Sequence, residues 1–221
     1  MRLLCLLVAV RACGQTPNPT PPKDPVENKH DRILWIIPNY KTAPDVSGPI
    51  EPLGTKEKFH LAAEDTLDPY SFALAGMYAG IGQWQNQYPA FGQGVSGYAK
   101  RFGGAIADLA IGNYLTEAVM PTVLHEDPRY FRLAKGGFWK RTGYALGRIV
   151  ITRTDSGGRS FNYSEISGNA AAAAISNVYY PAANRTPGAA LQKFGIQLAT
   201  DAGFNVLKEF WPDMRRKIFK R

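Results

Sequence analysis

The sequence predicts a mainly α-helical fold, a compact bundle of about five or six helices packed through stripes of small residues. Three observations lead there. Apolar and small residues between positions 55 and 210 recur three and four apart, the period of one helix face. Thr and Asp-Pro stand where such segments begin, and Gly or Pro where they end. The chain also holds 22 glycines and many alanines, and pairs of these small residues stand four apart on nearly every candidate helix.

The elements follow in order. Met1-Arg2 and the apolar run from Leu3 to Val10, with small or aliphatic residues at Val10 and Ala12, predict a signal sequence over 1–12 and hence export. The run is far too short for a membrane span of ~20 residues. Cys13, directly after Ala12, resembles the lipobox of bacterial lipoproteins, in which that cysteine is lipidated. Arg11 departs from the pattern, and the alternatives are plain cleavage or an uncleaved anchor. Cys5 would leave with the signal, so the exported chain has no cysteine pair for a disulfide. Residues 13–30, with prolines at 17, 19, 21, 22 and 25, read as a disordered tether of polyproline character. Residues 31–54 read as a short extended segment, with Ile33, Trp35 and Ile37 alternating before Pro38, followed by a loop.

The helical domain covers 55–211. Thr55 can cap a first helix with Phe59, Ala62, Ala63 and Thr66 on one face. Asp68-Pro69 opens a second, because Pro suits the first helical position and Asp accepts the free amide hydrogens there. A third helix spans 97–124, kinked by Pro121. Asp127-Pro128 repeats the opening device, and positions 68–75 agree with 127–134 at Asp, Pro, Phe, Leu and Ala, through an internal duplication or through shared capping chemistry. A fourth helix spans 138–150. Over 148–165 a small hairpin is predicted, with β-branched residues before Asp155-Ser156-Gly157-Gly158 and aromatic ones after it. Helices over 164–179 and 187–210 follow, the last broken by Trp211-Pro212 and leaving a basic tail over 212–221.

The small residues need a reason, because glycine inside a helix costs ~0.8–1 kcal/mol relative to alanine. Gly76 and Gly80, Gly103 and Ala107, Gly143 and Gly147, Gly168 and Ala172, and the row Gly195, Ala199 and Gly203 form strips on which helix backbones can approach closely. The same strips offer a route to an oligomer.

Charge and address together limit the partners. The formal charge is +8, with Arg215, Arg216, Lys217, Lys220 and Arg221 gathered at the C-terminus, which favours an anionic membrane surface. Export makes nucleic acid a poor partner. The expected location is the cell envelope, periplasmic or membrane-associated, with membrane lipid or another envelope protein as partner. A mean hydropathy of −0.23 argues against a conventional polytopic protein.

One polar stretch invites a chemical reading: His125, Glu126 and Asp127 stand together in a chain with three histidines. The structural reading makes Asp127 the cap of a helix begun by Pro128, with His125 at the negative end of the helix before it. The chemical reading joins His125 and Asp127 to His60 and Glu64, one turn apart on the first helix, as a divalent metal site of a hydrolase-like enzyme. No HExxH is present, and no cofactor is expected. Asp108 and Asp201 sit among small and apolar residues and need cations if buried, with Arg101, Arg148 or Arg153 as candidates for Asp108. There is no Gly-x-Ser-x-Gly elbow and no phosphate loop. The sequence points to a structural or interaction role at a membrane, with no activity legible in its motifs.

Overall fold

The computed structural model describes residues 32–43 and 51–218. The predicted signal sequence, Cys13, the Pro-rich tether, Lys220 and Arg221 lie outside the described residues. The fold is mainly helical, with helices α1 (Thr55–Leu67), α2 (Pro69–Trp84), α3 (Gly94–Asn113), α4 (Met120–Leu124), α5 (Phe138–Gly147), α6 (Tyr163–Ser176) and α7 (Pro187–Ile218). Strands β1 (Glu126–Asp127), β2 (Ile151–Thr154) and β3 (Arg159–Phe161) form one antiparallel sheet in that order. The β2–β3 hairpin is the predicted one. Asp155 to Gly158 make its turn, closed by the Thr154 N–H to the Gly158 carbonyl at 3.1 Å, with Gly157 at φ +85° where a side chain would strain.

Helix α2 begins as its sequence demands. Pro69 takes the first position and the Asp68 carboxylate accepts the Tyr70 N–H at 2.8 Å. The same carboxylate accepts Arg32 Nη1 at 3.0 Å and the Tyr40 hydroxyl, so the segment 32–43 is tied across the α1–α2 joint. That segment is no extended strand. Ile33 and Ile37 bridge each other around a tight reversal in which Leu34 and Trp35 take positive φ, because Ile33 is driven into the core while Trp35 stays outside against the edge of Trp211. At α1 the cap is Gly54, whose N–H donates to the Glu57 carboxylate at 2.7 Å, and Thr55 is already the first helical residue.

The predicted third helix divides where Pro121 sits. Between α3 and α4 the chain widens into a π-helical turn over Tyr114–Val119. A proline at 121 cannot donate to the carbonyl four residues back and its ring crowds it, and the wider turn relieves both. The extra residue shifts the face presented inward, and Glu117 falls on the buried side.

Three expectations are corrected. Pro128 begins no helix: Asp127 belongs to β1, opposite Arg153, and the chain runs irregularly to α5. Asp127 does accept the N–H two residues on, from Arg129 at 3.0 Å, as Asp68 does from Tyr70, so the two Asp-Pro pairs share a local bond and then diverge. Pairing with β2 decides the second case. Pro212 does not end α7, which continues to Ile218. From outside the helix Arg141 Nη2 and Arg132 donate to the Glu209 carbonyl, and Arg141 also holds Asp213, so α7 is braced on both sides of the proline.

The third correction concerns the glycine strips. A methyl group added at Gly80, Gly103, Gly143, Gly147, Gly195 or Gly203 would meet nothing within 4 Å, and Ala199 is exposed with its two glycine neighbours on α7. At these positions the strips face outward and pack no helices among the described residues. Close approach happens at two other members of the predicted strips, Gly168 and Gly76, and at Gly97. At Gly168 an added Cβ would lie 3.2 Å from the backbone of Leu115 and Thr116 in the π turn, and at Gly97 2.3 Å from the Gly92 carbonyl. Gly76 meets Tyr98 across the α2–α3 contact.

The interior is small and charged. Ala62, Ala75, Ala79, Ala118, Ala145, Ala172 and Ala173 are buried, and so are Lys58, Arg101, Glu117, Glu126, Asp127, Arg141, Lys208 and Glu209. The large apolar side chains that would fill a water-soluble core stand largely outside, among them Trp84, Val95, Trp139 and Val178.

Candidate functional site: a charged cavity between the helices

Inward-facing ionisable groups from five segments converge on a cavity of about 140 Å³. Lys41 arrives from the N-terminal segment, Asp65 from α1, Glu117 from the π turn, Glu165 from α6, and Asp201 and Lys208 from α7. Lys41 Nζ lies 2.6 Å from Glu117 Oε1 and 3.7 Å from Asp65. Glu117 is 1 % exposed, and its second oxygen, Oε2, has no hydrogen-bond partner among the described residues. Glu165 accepts the Asn169 side-chain amide at 2.9 Å and has Asp201 as its acidic neighbour. Lys208 is 8 % exposed and lines the cavity, and its ammonium has neither a hydrogen bond nor an ion pair among the described residues.

Such crowding moves protons. Burial pushes Glu117 up to about 8, with Lys41 opposing. Burial also lifts Glu165 well above the carboxylate range, and neighbouring Asp201 adds to it, so Glu165 favours its protonated form. For Lys41 burial would lower the ammonium, but Glu117, Asp65 and Asp201 overcome it and hold the group charged. Lys208 goes the other way. Burial, reinforced by the Lys41 cation, pushes it down to about 8, against the pull of Asp65, Glu117 and Asp201.

A second, larger cavity of about 490 Å³ adjoins the first, and Lys41, Leu109, Thr116, Thr200 and Asp201 line both. Its walls combine apolar and aromatic residues, Tyr78, Ala79, Ile81, Ala173, Tyr180 and Ile196 among them, with polar and charged ones such as Arg101, Asp108 and Lys193. Asp108 is held here by the hydroxyls of Tyr179 and Tyr180 and by Lys193 Nζ at 3.1 Å, an ion pair between α3 and α7. The cation for Asp108 is therefore Lys193, and none of Arg101, Arg148 and Arg153. Arg101 clamps the α2–α3 loop by donating to the carbonyls of Gln87, Tyr88 and Gly92, Arg148 lines the smaller cavity, and Arg153 lies over the Phe131 ring at 4.8 Å.

The predicted metal ligands are not assembled. His60 and Glu64 approach each other at 3.4 Å on the outside of α1. His125 is exposed at the end of α4 with φ 54°, and Asp127 is buried but occupied by the guanidinium of Arg129 at 2.6 Å. His125 and its neighbour Asp127 face apart because the strand that begins at Glu126 turns the carboxylates inward. Glu126 itself receives the N–H of Ser164 at 2.8 Å and so caps α6. Among the described residues no group of three or more His, Cys, Asp or Glu side chains is placed to hold a metal ion.

Sequence reasoning raised Asp201 but missed Asp65, Glu117, Glu165 and Lys208 as partners. They come from four different segments, and the signal that could have joined them is weak: each is a charge on the apolar side of its own helix. No protein-family model, no curated protein and no solved structure matches this chain.

Proposed function

We propose that this is an exported cell-envelope protein with a structural or interaction role at a membrane, its helical body in contact with an apolar phase. The supporting observation is the reversed distribution of side chains. Trp84 is 84 % exposed, Trp139 82 % and Val95 87 %, while Lys58, Glu117 and Glu209 are at most 2 % exposed. Exposed apolar area costs about 25 cal/mol per Å² in water, a cost that lipid or a partner covering these side chains would remove. The bare glycine strips of α5 and α7 face the same way, outward, where another backbone or lipid chain could lie.

No helix of the described residues is long and apolar enough to cross a membrane. The reading is therefore one of partial insertion or surface seating, with Arg215, Arg216 and Lys217 exposed at the end of α7 to meet anionic headgroups. The metal-enzyme alternative has no observation in its favour.

Flotation of the full chain with vesicles of phosphatidylcholine and phosphatidylglycerol tests the proposal. The chain is expected to float with them, to resist a carbonate wash, and to bind less when Arg215, Arg216 and Lys217 become Gln, by about 1 kcal/mol per cation. A chain that stays monomeric in detergent-free buffer and remains at the bottom of the gradient overturns it.

A further inference from the structure

We propose that Lys208 is a nucleophilic amine that forms an imine with an aldehyde or ketone carrying an apolar tail. Buried lysines are normally engaged by a carboxylate, as Lys58 is here by Asp155 at 2.7 Å. Lys208 is also buried, at 8 % exposed, yet has no hydrogen bond or close ion pair among the described residues, and it lines a cavity that Asp65, Glu117, Glu165 and Asp201 also line. Glu117 Oε2 stands in that cavity without a partner as well.

Charge decides which ligand suits such a place. Lys41 and Lys208 disfavour a cation, four carboxyl groups disfavour an anion, and a neutral polar group meets neither penalty. A carbonyl is neutral, reacts with an amine, and needs an acid and a base close by. The hydrocarbon remainder can lie along Tyr78, Ile81, Ala173 and Ile196 in the adjoining cavity, which shares Thr116, Thr200 and Asp201 with the first.

The groups present balance the reaction. The lone pair of the neutral Lys208 amine attacks the carbonyl carbon, a C–N bond forms, and the C=O π pair moves to oxygen, which takes the proton of Glu165. The nitrogen gives one proton to the Asp201 carboxylate. That proton then returns to the hydroxyl of the carbinolamine, which leaves as water while the nitrogen lone pair makes the C=N bond. The sum converts amine, carbonyl and protonated Glu165 into iminium, water and the Glu165 carboxylate, with no oxidant or reductant. The iminium is left beside Asp65 and Asp201, whose carboxylates favour it. Burial and the Lys41 cation supply the free amine near neutral pH.

The test treats the full chain at pH 7 with limiting decanal and cyanoborohydride and maps the alkylated lysines by peptide mass spectrometry. Lys208 is expected to be alkylated at least about tenfold faster than exposed Lys56, Lys100 and Lys140, since burial pushes its ammonium down to about 8 and so raises its share of free amine at pH 7. Lys208→Met removes the fast phase and leaves the slow one. Glu165→Gln slows alkylation of Lys208 while leaving the exposed lysines unchanged, a selective effect that a merely structural role would not give. If Lys208 reacts no faster than the exposed lysines in the unaltered chain, the proposal fails, whatever the variants do.

Discussion

Glu209 shows how single residues are held in this interior. It is 0 % exposed, yet each oxygen is used: the Tyr130 hydroxyl at 2.9 Å and the Leu133 N–H at 3.0 Å reach one, the Ala134 N–H at 2.9 Å and Arg141 Nε at 2.8 Å the other. A buried carboxylate tolerates its desolvation only with such a full set. It also fixes the irregular stretch before α5, where Ala134 sits at φ 56° and would otherwise have little reason to stay. Glu209→Ala leaves Arg141 and two amides without their acceptor and should cost about 3–5 kcal/mol, read as a lower urea midpoint. The sequence shows Glu209 as one more charge near a helix end, because its partners are about seventy residues away and nothing local points to them.

At the scale of elements, the glycines separate into two kinds. Gly168 on α6 lies against the backbone of the π turn, so Gly168→Ala forces the two apart and should destabilise by about 1–3 kcal/mol. Gly195 and Gly203 on α7 meet nothing, and changing each to Ala should stabilise the isolated chain by up to about 1 kcal/mol through helix propensity alone. Thermal unfolding of the three variants side by side checks the contrast; equal effects would remove the distinction. Element boundaries were legible where a local bond sets them, as with the Asp68 cap and the Asp155–Gly158 turn. They were illegible where a distant partner intervenes, as with the strand pairing that claims Asp127 and the arginines that brace α7 on both sides of Pro212.

For the whole molecule, the buried charges make an unusual dependence of stability on pH. Glu117 holds its proton up to about 8 in the fold, whereas an ordinary carboxyl loses it near 4.5, so the folded state carries the extra proton between those values and stability falls as pH rises through them. Glu165 acts in the same direction. Lys208 loses its proton near 8 in the fold and near 10.5 when unfolded, so the folded state carries fewer protons above 8 and stability climbs again with pH. Urea midpoints measured from pH 5 to 10 should therefore pass through a minimum near 8. Glu117→Gln flattens the descending side and Lys208→Met the ascending side, while a flat profile in the parent chain would show these groups to titrate normally.

Sequence by itself determined the mainly helical class, the position of most helices and the hairpin, because caps, turns and a 3.6-residue period are written in neighbours. Which face of each helix turns inward was decided by the tertiary structure alone. Small-residue strips and apolar stripes normally both point to the core, and here most of the strips point out, the Gly168–Ala172 one excepted, while charges from five segments point in. A charge can be buried only where its counterpart arrives from elsewhere in the chain, and that meeting is a property of the assembled fold.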